Sequence, residues 1–217
     1  MPRKAKVAGE GSQSSRTASR LRPEDWVNAA IRHLASEGVQ GVQIDRLARE
    51  LHSTKGSFYW HFRNREALLD AVLKVWRQVT VDLNNLLESE SDPARRLLRQ
   101  LHLPEEIPDK PFMNGFESGV RGWAQHSPEV RSIVREVDEL RWQLGLRMFR
   151  QLGATGRNAE ALSAISLCVA AHLWRPEGVD AAERRLLIDT TYEMLTAACA
   201  RGKKPRSPRD TRQSRRS

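Results

Sequence analysis

Between residues 42 and 69 the chain reads Val-Gln-Ile-Asp-Arg-Leu-Ala-Arg-Glu-Leu-His-Ser-Thr-Lys-Gly-Ser-Phe-Tyr-Trp-His-Phe-Arg-Asn-Arg-Glu-Ala-Leu-Leu. Ile44, Leu47, Ala48 and Leu51 recur at i, i+3, i+4 and i+7, one face of a helix over about 43–51. The turn His52-Ser53-Thr54 follows, and then a very short second helix over about 54–60, with Phe58 inward and Phe62 just behind it. Few folded modules need a helix that short and that rich in hydrogen-bond donors; a helix-turn-helix reader of the major groove is one.

The flanks complete a small helical unit. Pro23 suits the first turn of a helix, and Glu24 and Asp25 suit its positive end. Val27, Ala30, Ile31 and Leu34 line its buried face, and Gly38 is placed to stop it. Asn64 fits the cap of a long helix running to about Leu87 and burying Leu68, Leu69, Val72, Leu73 and Trp76. Further helices are expected from Pro93 to before Pro104, from about Phe112 to His126, from the Ser127-Pro128-Glu129 start signal to about Leu152, and over about 158–174 and 181–200. Segment 104–111, with three prolines, reads as a loop. The fold class is all-α. Residues 1–22 read as a disordered basic arm, 23–70 as a three-helix helix-turn-helix domain, 71–200 as a helical bundle reached through the long helix, and 201–217 as a disordered basic tail.

The net charge of +9 is unevenly placed. Residues 1–22 carry +5, residues 201–217 carry +7, and the 178 residues between them carry −3. Within that acidic body, residues 46–65 hold Arg46, Arg49, Lys55, Arg63 and Arg65 against Glu50 alone, a local +4. Cys168 and Cys199 lie in apolar helical patterns and read as reduced, buried thiols of a cytoplasmic protein. The basic N-terminus lacks an apolar core for a secretory signal. The longest charge-free run, Ala161 to Trp174, has 14 residues against the roughly 20 that span a bilayer, so no membrane partner is expected.

The short helix carries the chemistry. Thr54 can cap it and turn its hydroxyl to a phosphate. Lys55 can donate to guanine O6 or N7, Ser57 to base or phosphate, and Tyr59 offers a hydroxyl on a stiff arm. Gly56 costs about 1 kcal/mol against Ala inside a helix, and its missing side chain lets a backbone or base edge come close. Trp60 and His61 present ring N–H groups suited to phosphate oxygens, and Arg65 can clamp the backbone beside the amides of the next helix.

The run Lys-Gly-Ser-Phe-Tyr-Trp-His-Phe-Arg-Asn-Arg-Glu-Ala-Leu-Leu, preceded by Ala-Ala-Ile-Arg-His-Leu-Ala-Ser-Glu-Gly, resembles the N-terminal domain of the TetR (TetR/AcrR) family of bacterial repressors over about residues 24–70. The resemblance implies that Lys55, Ser57 and Tyr59 lie toward bases, and that Thr54, Trp60, His61 and Arg65 lie toward phosphates. Three positions depart from the family pattern: Gln43 where a capping Thr is common, Arg65 where Lys is common, and His52 in place of a frequent Gly. The first two keep polar capacity and bear on which DNA sequence is read. His52 could strain the turn or add a phosphate donor.

Past residue 71 the resemblance is loose. Leu162, Ile165, Leu167, Cys168, Val169, Leu173 and Trp174 surround their helix, and such a helix must be covered on both sides. A second subunit is the expected cover, aided by Leu186, Leu187, Ile188, Tyr192, Met194 and Leu195; the family pairs through a four-helix bundle of its last two helices. A homodimer would set two recognition helices on a pseudo-palindromic operator in double-stranded DNA. A small hydrophobic inducer in the C-terminal core is expected to swing the long helix and release the DNA. Met113, Phe116, Gly119, Trp123, Trp142, Met148, Phe149 and His172 are its candidate contacts.

Two other readings start from the same residues. An enzyme finds no support: the six histidines show no paired-ligand spacing, no G-x-S-x-G, Walker A or G-x-G-x-x-G occurs, and no cofactor or metal is implied. A non-specific architectural nucleic-acid-binding protein would work through the basic ends, such as Lys203-Lys204-Pro205-Arg206. The expected setting is the bacterial cytoplasm, at the nucleoid.

Overall fold

Pro23 opens the first helix because the N–H it lacks has no helical partner there. The computed structural model describes residues 21–106, 110–172 and 180–201. The expectations for the basic arm over 1–20, the tail over 202–217, and Leu173 and Trp174 lie outside them. Among the described residues the chain forms nine α-helices: α1 (Pro23–Glu37), α2 (Ile44–Glu50), α3 (Lys55–His61), α4 (Arg65–Glu88), α5 (Pro93–Glu106), α6 (Lys110–Ala124), α7 (Pro128–Gln151), α8 (Gly156–His172) and α9 (Ala181–Arg201). The all-α expectation holds. α5 continues through Pro104, where the sequence pattern had it stop. Only two residues follow that proline, so the ladder bond it lacks is among the last in the helix.

Four of the starts have a local cause. The Arg22 N–H donates to Asp25 Oδ2 at 2.7 Å at the head of α1. Thr54, Asn64 and Ser127 accept from Ser57, Ala67 and Val130 N–H and cap α3, α4 and α7. Gly38, at φ +72°, ends α1 and returns its N–H to the Leu34 carbonyl.

The expected tri-helical core is part of a larger one. Trp26, Ala30 and Leu34 of α1, Val42, Leu47 of α2 and Phe58 of α3 pack with Leu68, Val72 and Trp76 of α4. Phe116 and Val120 of α6 and Val130, Val134 and Val137 of α7 continue the same cluster. A second core gathers Leu97 and Leu101 of α5, Met148 and Phe149 of α7, Ala159 and Leu162 of α8, and Ile188 and Leu195 of α9.

α1 and α6 meet at backbone distance. A Cβ added at Gly119 would stand 2.5 Å from the Leu34 carbonyl oxygen, and one at Gly115 would stand 2.8 Å from that of Ala35. Beside this seam, charged and polar groups tie α6 to α4 and α7. Glu117 accepts from the Trp76 indole at 2.8 Å, from Arg121 Nε at 2.7 Å and from Arg141 Nη1 at 2.9 Å. Arg141 also donates to Thr80 at 3.1 Å, and Arg121 forks onto Asp138 at 2.6 and 3.0 Å. Burial pushes the Glu117 carboxyl up, but hydrogen bonds from Arg141 and Trp76 and the charges of Arg141 and Arg121 outweigh it and bring its pKa to about 2. The Asp138 bond and the neighbouring carboxylates raise Arg121 further above its ordinary range.

Gly119→Ala should destabilise the protein by about 2 kcal/mol, the scale of overpacking against an unyielding backbone. Gly122→Ala, whose Cβ meets nothing within 4 Å, should be neutral or slightly stabilising, and chemical denaturation of the pair checks this. The Glu117 carboxylate contributes stability fully present above the unfolded value near 4.5 and lost as pH falls toward about 2. Glu117→Gln should therefore cost about 2 kcal/mol at neutral pH, discounted for the third of its side chain that water reaches. In denaturation curves from pH 6 to pH 3 its deficit against the parent should shrink; a constant deficit would contradict this account.

Candidate nucleic-acid interface

α3 has seven residues and cannot hold itself as a helix in water. Its inner side is Phe58, fully buried, edge-on to Trp26 at 5.3 Å and stacked on Phe62 at 5.7 Å. Thr54 closes the first turn by accepting the Ser57 N–H at 3.2 Å, which leaves its hydroxyl proton available for an outside acceptor. With Phe58 fixed, the remaining residues turn outward: Lys55, Gly56, Tyr59 and Trp60 are exposed, and Ser57 and His61 are half-buried. Tyr59 is 55% and Trp60 74% exposed, large areas for aromatic rings on a structured helix.

The turn into α3 is tight. His52 takes φ +49°, the left-handed region where glycine is at ease, so the departure at this position does carry backbone strain. The Ser53 N–H reaches back to the Ala48 carbonyl at 2.8 Å and fixes the angle between α2 and α3. Gly56, by contrast, has ordinary helical geometry, and a Cβ there would meet only Thr54 Oγ1 at 3.6 Å. Internal packing does not require glycine at that position.

Two expected contacts sit differently. Gln43 stands at the N-cap position of α2, exposed, but its side chain makes no cap bond; its amide donates to the Gln40 carbonyl at 3.2 Å. The Arg65 guanidinium turns into the protein, donating from Nε to the Val42 carbonyl at 2.6 Å and from Nη2 to that of Val39. The 3₁₀ turn Val39–Gly41 and its exit present carbonyls outside any long helix, and Arg65 satisfies them. Its first role is to lock that turn onto α4, not to face solvent.

The local charge is also smaller than the count over 46–65. Acids just outside that window answer its cations. Lys55 Nζ lies 2.6 Å from Asp45 Oδ1, and Arg46 pairs with Glu37 at 2.5 Å. Glu50 accepts from Arg32 at 2.6 Å and meets His33 Nε2 at 2.7 Å, joining α1 to α2. Burial pushes the Glu50 carboxyl up, but Arg32 and His33 bring it below its ordinary range; the Arg46 bond lowers that of Glu37. The Lys55–Asp45 pair is exposed, and sequence spacing could have offered Asp45 only as a first-turn acid of α2.

The candidate small-molecule contacts are not brought together. Phe116 and Trp123 belong with the first core, Met148 and Phe149 are fully buried in the second, and Gly119 is committed to the α1 seam. Met113 and Trp142 are half-buried, and the Trp142 carbonyl accepts from Ser163. The His172 side chain lies outside the described residues. An open cleft of about 360 Å³ lies between the end of α1, the 3₁₀ turn and α6; of the candidates only Gly119 and Trp123 line it, beside Leu34 and Val39.

Residues 27–72 match the family described as bacterial regulatory proteins, tetR family. Residues 27–72 are a TetR-family helix-turn-helix domain. The class A tetracycline repressor protein from transposon 1721 of Escherichia coli is 41% identical over 54 residues, 25% of each chain. The chain thus matches about a quarter of that relative's length. Solved structures extend the likeness in fold alone. A transcriptional regulator from Saccharomonospora viridis in complex with choline has a TM-score of 0.66 at 18% identity, over 79% of this chain and 95% of that one. AibR in complex with isovaleryl coenzyme A and operator DNA has a TM-score of 0.62 at 17% identity, over 81% and 98%. The TetR-family domain thus sits on a helical bundle of the same architecture, and the family match runs from α1 into the first turns of α4.

Because Gly56 is not demanded by packing, Gly56→Ala should raise the stability of the TetR-family domain by about 0.5–1 kcal/mol. A rise in melting temperature is the expected reading; a fall would mean the backbone there is strained.

Proposed function

We propose that this chain is a sequence-specific DNA-binding transcriptional regulator, a repressor released from its operator by a small hydrophobic ligand. The observation that carries the reading is the polarity of α3, with Phe58 buried behind it and Lys55, Tyr59 and Trp60 exposed in front. In this reading Lys55, Gly56, Ser57 and Tyr59 meet base edges in the major groove, and Thr54, Trp60, His61 and the exposed Gln43 meet phosphates. Arg65 acts chiefly by holding the turn before α2, and so sets the angle at which α2 and α3 meet the duplex.

The protein acts as a homodimer through α8 and α9. Ile165, Leu187 and Met194 are exposed on those helices, Met194 by 69%, and a second copy would cover them. Two-fold pairing sets the recognition helices about 34–36 Å apart, or a multiple of it, on a pseudo-palindromic operator. Choline and isovaleryl coenzyme A, bound by the two structural relatives, support a ligand-responsive bundle without naming the ligand here. A preference of about 1–3 kcal/mol for the released state is enough to relieve repression several-fold or more. No helix among the described residues is long and apolar enough to cross a membrane. A role on chromosomal DNA places the protein in the cytoplasm, at the nucleoid.

Lys55→Ala and Tyr59→Ala should each lose at least about ten-fold in operator affinity, the scale of one good base or phosphate contact, with far-ultraviolet circular dichroism unchanged. Gel shifts on duplexes recovered from a random pool check this, and parental affinity in either variant would contradict it.

A further inference from the structure

An exposed acid on a surface that meets DNA needs a reason. Asp45 is the second residue of α2, and its Oδ1 lies 2.6 Å from the Nζ of Lys55, the first residue of α3. Both side chains are 60% exposed, so solvent screens the pair and it contributes little to stability. The first residues of a recognition helix are those that reach base edges, so a carboxylate touching Lys55 stands where phosphates and bases approach. Repulsion from the phosphates makes it a net cost to unspecific affinity.

We propose that Asp45 is a specificity-determining positioning residue, holding the Lys55 ammonium for base edges and against phosphates. The proposal rests on the reading of this chain as a sequence-specific DNA binder. A lysine head is a point charge on a four-carbon stem, with three donors and no directional fork; alone, it settles on any phosphate in reach. Anchored by one hydrogen bond to Asp45, it keeps two donors, which match guanine O6 and N7. The same carboxylate offsets the Lys55 charge on unrelated DNA, so selectivity rises while unspecific grip falls.

The test uses the full chain, a random duplex pool and low-salt selection, comparing the parent with Asp45→Asn, Asp45→Ser and Lys55→Met. A melting curve for each variant confirms folding; the two substitutions at 45 both suit the first turn of a helix. The expected result has three parts. The operator spacing recovered by the Asp45 variants equals the parent's. Base preference flattens at one symmetric pair of positions, the same pair that flattens in Lys55→Met. Affinity for unrelated duplex rises by about three- to ten-fold, with a salt slope steeper by about one ion. Unchanged preferences, or an even loss at all positions, overturn the role of Asp45 while leaving the DNA-binding reading intact. Absence of enrichment with the parent overturns that reading and this one together.

Discussion

The burial of one ring sets up the whole polar face of α3. α3 is two turns long, too short to persist by its own hydrogen bonds. Phe58, wedged between Trp26 and Phe62, supplies the hold that the ladder cannot, and the Thr54 cap sets where the helix starts. With the start and the inner side fixed, the directions of Lys55, Tyr59 and Trp60 follow from helical geometry. Removing that ring would free the polar face from any fixed relation to α1, whatever donors remained on it.

That face is coupled to the rest of the chain through α6. Gly115 and Gly119 let α6 touch the α1 backbone, so the two helices have little room to slide independently. The Glu117 cluster binds the same stretch of α6 to Trp76 and Thr80 on α4 and to Arg141 and Asp138 on α7. α1 carries Trp26, and α4 carries Arg65, which holds the turn before α2. α6 is therefore tied to α3 by two contiguous sets of contacts, one through α1 and Trp26 and one through α4 and Arg65.

The sequence made the helices and the exposed polar face of α3 legible because those signals are local. Apolar spacing, the Asn64 and Ser127 caps and Gly38 are read within a turn or two, and so is the solitary inward Phe58. What escaped depends on distance in space. Arg65 was expected at phosphates because nothing in its neighbours announces the carbonyls of Val39 and Val42, more than twenty residues earlier. Asp45 and Glu37 alter the charge of the reading surface from outside the stretch that looked basic. The candidate ligand residues shared a chemical type, but the bundle divides Phe116 from Met148 and Phe149 into different cores. Pro104 marked a helix end three residues early because composition reports the lost bond and not its place near the end of the helix.

The central claim is that α3 enters the major groove with its polar side leading, in two copies on one duplex. Methylation interference on a pool-selected operator addresses it directly. Guanine N7 methylation lies in the major groove and adenine N3 methylation in the minor groove. The account predicts that N7 methylation blocks binding at two symmetric clusters about one helical turn apart, or a multiple of it, while N3 methylation leaves binding intact at those positions. Interference confined to the minor groove, or a single unsymmetric cluster, would contradict it.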